Sequence, residues 1–184
     1  MSVALWIVLI ILGLVVVYVI YKYNRLITLR NRIENAWSQI DVQLKRRADL
    51  IPNLVETVKG YMKHEKSVLE NVTKARSALV KAGSMAAKAK ADNMISGALK
   101  SLFAVAEAYP QLKANENFMH LQQRISGLEN ELADMREFYN DSVNTFNVRI
   151  ETIPGMFFAG PMGLARRDSF KATEEEKKDV KVEF

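Results

Sequence analysis

The sequence predicts an all-α protein: an N-terminal transmembrane helix followed by an antiparallel up-and-down bundle of three or four long helices. Three observations lead there. A charge-free apolar run occupies Val3 to Tyr21. The rest of the chain carries apolar residues at alternating steps of three and four. Only 8 Gly and 4 Pro interrupt 184 residues, which favours long helices over a turn-rich sheet.

The apolar run is nineteen residues long. As a helix it spans about 28 Å, close to a hydrocarbon core of roughly 30 Å. Trp6 lies near one end and Tyr18, Tyr21 and Tyr23 near the other, as bilayer interfaces favour. A cleaved leader would need a basic start and a small-residue cleavage site. No Lys or Arg precedes this run, and its exit, Val19 to Arg25, has no small-x-small site. A helix packed on the core of a domain this small would keep a polar face toward water, and this run is apolar on all of its faces.

Charge orients the segment. Between Lys22 and Arg47 stand seven basic and two acidic residues, which account for the whole net charge of +5. Four of them, Lys22, Arg25, Arg30 and Arg32, follow the run closely and are expected at the membrane surface. The positive-inside rule then puts the N-terminus outside and the remainder in the cytoplasm, at a cell (inner or plasma) membrane. The expected division is 1–22 for the membrane helix, 23–154 for the bundle, and 155–184 for an apolar Gly/Pro segment with a flexible charged tail.

The first seam comprises Ile33, Trp37, Ile40, Leu44, Ile51, Leu54, Val58, Tyr61, Val68, Val72, Ala75 and Leu79. The spacing is that of a helix packed lengthwise, in the manner of a coiled coil. Pro52 lies inside the seam and removes one backbone N–H. Gly60 is a second hinge. If either only kinks the helix there are three helices, and if one reverses the chain there are four. The stretch from Ala82 to Ala91 reads as a connection, with Asp92 as N-cap of the next helix. That helix turns Ile95, Leu99, Leu102, Phe103 and Ala106 inward and stops at Tyr109-Pro110. Asn115 caps a last helix running to about Ile153, with its seam from Phe118 through Ile125, Leu132, Tyr139 and Phe146 to Ile153.

No catalytic constellation emerges, so neither an enzyme nor a cofactor is expected. Cysteine is absent, which removes disulfides and thiolate chemistry. His64-Glu65 lacks the second His of a zinc-protease helix, and His120 has no metal-ligand spacing to it. No glycine-rich loop resembles a phosphate cradle. Nucleic acid is not expected, because the aromatics lie on the apolar seam and not among the basic residues. The cluster Lys45-Arg46-Arg47-Ala48-Asp49 stands out because Arg47 falls on the seam. A buried arginine without a partner costs several kcal/mol. Glu65, Glu129 and Glu131 are therefore candidate partners. Arg46, Arg47, Asp49, Pro52, Glu65, Tyr109, Pro110, Asn115 and Tyr139 are the candidate structural and interaction residues.

Several blocks carry a resemblance. They are Tyr23–Leu26, Leu29–Arg32, Ala36–Val55, Val58–Tyr61, His64-Glu65, Val72–Arg76, Ala108–Phe118 with Leu121-Gln122, and Tyr139–Val143. Together these resemble the LemA family over roughly Tyr23 to Pro154. Ser126–Leu132 keeps the family's Glu129-Asn130 without a preceding Thr, and the tail Phe157–Phe184 follows the pattern loosely. The resemblance implies a short outside N-terminus, one membrane helix and a cytoplasmic helical bundle, with no established reaction. It also implies an association with a membrane-bound zinc metalloprotease and a part in envelope quality control.

Two classes of function follow. The first is a membrane-anchored, self-associating scaffold or adaptor, whose partners are the lipid bilayer, further copies of the chain and other membrane proteins. The second is a metal-dependent hydrolase, which would need His64, His120 and carboxylates to converge. A pore assembly would need many copies, since the one membrane helix carries no charged residue.

Overall fold

A computed structural model of the chain describes residues 3–170. Among them all regular structure is helical, in six elements: α1 (Val3–Lys59), α2 (Lys66–Lys81), α3 (Met85–Ala106), α4 (Pro110–Lys113), α5 (Glu116–Glu151) and α6 (Gly155–Ala159). The described residues fall into two compact units, 3–37 with 138–169, and 38–137 with Phe170.

α1 is a single helix of 57 residues. It is long and apolar enough to cross a membrane, and the apolar window has no buried residue. Every side chain from Val3 to Tyr21 is exposed, and the first buried one is Leu26. From there burial recurs on one stripe, at Ile33, Ala36, Ile40, Leu44, Ile51, Leu54 and Val58. Residues spaced this way share one face of a helix, so the first third of α1 is apolar all round and the stretch from Leu26 on is amphipathic.

In the unit built on 38–137, Pro52 stays inside α1 without ending it, and the helix stops at Lys59. Gly60 to Glu65 carries the turn, tied by Tyr61 and Met62 amides donating to the Val58 carbonyl at 3.0 and 2.9 Å. α2 then returns past α1, since Arg76 of α2 reaches the Ala48 carbonyl. The chain therefore reverses at the Gly60 turn, not at Pro52. Tyr61 was expected inward and is 37% exposed, while Met62 is buried. The helix has ended by then, so the turn shifts the phase of the seam.

α3 starts earlier than the sequence suggests. Ser84 accepts a hydrogen bond from the Ala87 amide at 3.2 Å and is the N-cap. An alanine-rich first turn then propagates readily. Asp92 is thus no cap: it lies well inside α3 and is fully buried. The connection shrinks to 82–84. Asn115 does cap α5, accepting from the Phe118 amide at 3.0 Å. Phe118 in turn meets Phe103 of α3 edge to face, ring centroids 6.3 Å apart.

In the other unit, α5 ends at Glu151, so Ile153 leaves the seam and is 74% exposed. The last turn of α5 meets α6 closely. A Cβ on Gly155 would fall on the Arg149 carbonyl oxygen, so only glycine fits there. Trp37 packs edge-on against Tyr139 at 6.1 Å. Tyr139 donates to the Asp168 carbonyl at 3.0 Å, and the Asn147 amide pairs with the backbone of Arg167 in both directions at 2.9 Å. The first residues of the expected charged tail are therefore held against α5. The tail from Lys171 onward lies outside the described residues.

Candidate functional site

Arg47 sits on the buried stripe of α1 and is fully enclosed. Its Nη1 donates to Asp92 Oδ1 of α3 at 2.8 Å and to Ser96 Oγ at 3.1 Å. Its Nη2 donates to Glu129 Oε1 of α5 at 3.1 Å. Arg136 of α5 closes the cluster by pairing with the other oxygen of Asp92. Arg136 also lies 4.9 Å from the centre of the Phe170 ring, a cation–π distance. Two guanidinium groups thus face two carboxylates, and the cluster is neutral.

Of the three expected partners of Arg47, Glu129 is a real one. Glu131 instead accepts from Gln43 Nε2 at 2.7 Å. Glu65 lies at the turn, 3.5 Å from the Tyr109 hydroxyl. The dominant partner, Asp92, is one the sequence assigned to a helix cap. In this cluster both carboxylates and the Ser96 hydroxyl are engaged by guanidinium groups. The cluster can fix the register of three helices, because a shift of one turn would strand buried charges.

A second polar group forms at the turn end of the same unit. Asn115 Nδ2 donates to the Tyr61 hydroxyl at 3.2 Å, beside the Glu65–Tyr109 pair. Pro110 opens α4 at its first position, where its missing N–H is harmless. Glu65, Tyr109, Pro110 and Asn115 are therefore brought together, apart from Arg47. Arg46 rests on Gln43 at 3.3 Å. Asp49 is exposed and lines a cleft of about 320 Å³ with Asp41, Lys45, Arg76 and Lys88, of which Lys88 and Asp41 pair directly.

Pro52 is exposed, and its effect is felt four residues back. With no N–H at position 52, the Ala48 carbonyl has no helical donor. Arg76 Nε supplies one at 2.9 Å. Arg76 was not among the expected residues, although Pro52 alone announces that the Ala48 carbonyl needs a partner.

Tyr139 belongs to the other unit. Burial pushes its hydroxyl above the ordinary value of 10, Asp168 adds to that, and Arg167 opposes it. The four basic residues expected at the membrane surface differ among themselves. Arg30 pairs with Glu34 at 3.1 Å, and Arg32 lies 5.0 Å above the Phe138 ring. Lys22 lies 5.2 Å from the Tyr18 ring centre, and Arg25 donates to the Tyr21 hydroxyl at 3.0 Å. His64 and His120 are both exposed, and among the described residues no three His, Asp or Glu side chains gather to hold a metal ion.

A family profile described as the LemA family matches residues 36–184. The chain belongs to the LemA family. Among relatives of this LemA-family chain is Protein LemA of Metamycoplasma hominis, 31% identical over 92% of the chain and 79% of the relative. Magnetosome protein MamQ 2 of Paramagnetospirillum magneticum is 24% identical over 82% of the chain and 65% of its own length. Magnetosome protein MamQ of Magnetospirillum gryphiswaldense is 26% identical over 81% and 64%. The chain therefore spans just under two thirds of the magnetosome relatives. None of these names is that of an enzyme. The LemA match begins at Ala36, within the amphipathic part of α1, and takes in the ion cluster, the Pro52–Arg76 contact and the turn.

Proposed function

We propose that this LemA-family chain is a membrane-anchored helical adaptor that self-associates and presents its helices to membrane partners. One observation carries the reading: α1 joins an exposed apolar span to a buried amphipathic stripe with no break between them. Such an element tethers a helical domain directly to a bilayer. Anchoring concentrates copies in two dimensions, so weak contacts suffice for assembly. The packing of α2 on α3, with the side-chain bonds that tie α1 to α2, α3 and α5, supports reading 38–137 as an up-and-down bundle. The buried neutral cluster suits a scaffold that must keep one register.

In this reading Val3–Tyr21 spans a cell membrane and the bundle lies on the cytoplasmic side, as the positive charge from Lys22 to Arg47 favours. The name of the magnetosome relatives supports a part in an assembled cell structure. The family resemblance suggests a membrane-bound metalloprotease as partner and a part in membrane-protein quality control.

Light scattering of the full chain in mild detergent, with a pull-down of membrane partners, tests the adaptor role. Oligomers or a stoichiometric partner are expected. A strictly monomeric chain that co-purifies with nothing overturns it. Topology is read independently. The natural chain has no cysteine, so a single Lys63→Cys variant should react with a membrane-impermeant maleimide only after the cells are opened.

A further inference from the structure

The exposed apolar span of α1 gives way to the first buried residue, Leu26, across a short interval holding Lys22 and Arg25. Four residues past Tyr21 advance the helix about 6 Å, the depth of a headgroup layer beyond the hydrocarbon. At that level α5 ends, and a cavity of about 100 Å³ opens between the two helices. Lys22 and Arg25 line one side, and Arg149 and Thr152 line the other. The lining holds three cations and no carboxylate. The neighbouring acid, Glu151, is engaged elsewhere, with Arg166 at 2.6 Å.

An apolar rim continues from the cavity. Ile153 lines it and is 74% exposed, and Phe157 and Met156 follow at 65% and 49%. Large apolar side chains clustered on a surface mark a contact with something else. Here they adjoin a cavity at the level where the apolar span of α1 ends.

We propose that this cavity binds a phosphate group, and that its occupant is the headgroup of an anionic phospholipid from the leaflet on the domain side. The guanidinium groups of Arg25 and Arg149 suit two oxygens of a phosphate, and Lys22 adds a point charge. Arg25 keeps donors free for this, because its bond to Tyr21 uses one of five N–H groups. Ile153, Met156 and Phe157 rest in the interface beside the acyl chains. Gly155, in the cavity lining, lets the chain close onto the Arg149 carbonyl. The proposal rests on the membrane placement of Val3–Tyr21 and is independent of self-association.

The test uses the full chain in nanodiscs of phosphatidylcholine with one part in four phosphatidylglycerol. Native mass spectrometry reads the lipids that leave with the protein. Phosphatidylglycerol is expected in excess of its share. Arg149→Gln and Arg25→Gln should each lower that excess roughly fivefold, the effect of about one basic contact. Arg149→Lys should keep most of it. Arg124→Gln removes the same charge from an exposed residue outside the cavity lining and should leave the excess unchanged. Millimolar inorganic phosphate should not displace the lipid, and displacement would reassign the cavity to free phosphate and overturn the lipid assignment. Equal retention of both lipids, or an Arg149→Gln chain of unchanged melting and unchanged retention, overturns the site and leaves the anchor standing. A chain that fails to enter the nanodisc overturns the anchor and the site together.

Discussion

Arg76 replaces the hydrogen bond that Pro52 withholds. The guanidinium Nε lies 2.9 Å from the Ala48 carbonyl, the acceptor that an N–H at position 52 would have used. α1 therefore keeps its course through a proline, and α2 is fastened to α1 at the point where the ladder is broken. A buried carbonyl left without a donor costs roughly 1–3 kcal/mol, so Arg76→Ala should destabilise the full chain by about that amount. Pro52→Ala restores the internal donor. In that background Arg76→Ala should cost clearly less, as urea midpoints in detergent would register. Equal costs in the two backgrounds would show that Arg76 acts in some other way.

The cluster around Arg47 predicts an asymmetry between its two acids. Asp92 is fully buried and holds both Arg47 and Arg136, whereas the Glu129 side chain is 46% exposed. Asp92→Asn leaves two guanidinium groups with only one carboxylate among them and should cost roughly 3–5 kcal/mol. Glu129→Gln should cost about 1 kcal/mol or less, since water can take over the contact. Replacing Arg47 and Asp92 together by Met and Leu should restore part of the loss. Thermal unfolding followed by circular dichroism ranks the three.

Tyr139 gives an alkaline signature. Its folded-state value is raised, chiefly by burial. The native chain therefore holds the phenol proton after the unfolded chain has released it. The stability this contributes is full below about pH 10 and falls as pH rises from there through the folded value. Tyr139→Phe removes that slope, and it also removes the bond to Asp168. Unfolding free energies on either side of pH 10 should converge between wild type and variant as the solution becomes more alkaline. A constant difference would contradict the assignment.

Gly155→Ala tests the junction of α5 and α6. The added methyl meets a backbone carbonyl, which cannot turn aside as a flexible side chain could. A cost of roughly 1–3 kcal/mol is expected, with faster protease cleavage near residues 152–157. Ala at Gly127 meets nothing within contact distance and serves as the control, with unchanged cleavage.

Much of this architecture could be read from spacing alone, and the exceptions share a cause. The stripe from Ile33 to Val58 was legible because a helix repeats its faces regularly. Arg47 was legible as a buried charge because it broke that stripe. Its partner was not, because Asp92 looks the same in sequence whether it caps a helix or lies within one. Ser84, eight residues earlier, made the difference by capping first. Tyr61 and Ile153 were misplaced at helix ends, where periodicity stops carrying information. Which acid meets which base across α1, α3 and α5 depends on how those helices align. No local pattern encodes that alignment.

The unbroken course of α1 through Lys22 and Leu26 has a mechanical consequence. With the helix unbroken there, the azimuth of the apolar span is set by helical phase. One residue inserted between Lys22 and Leu26 would swing the apolar span about 100° around the axis and carry Lys22 away from Arg149. Seven inserted residues, close to two full turns, would nearly realign the direction while moving the span some 10 Å further off. Rotation and displacement of the apolar span along the axis are thus coupled, as in a screw.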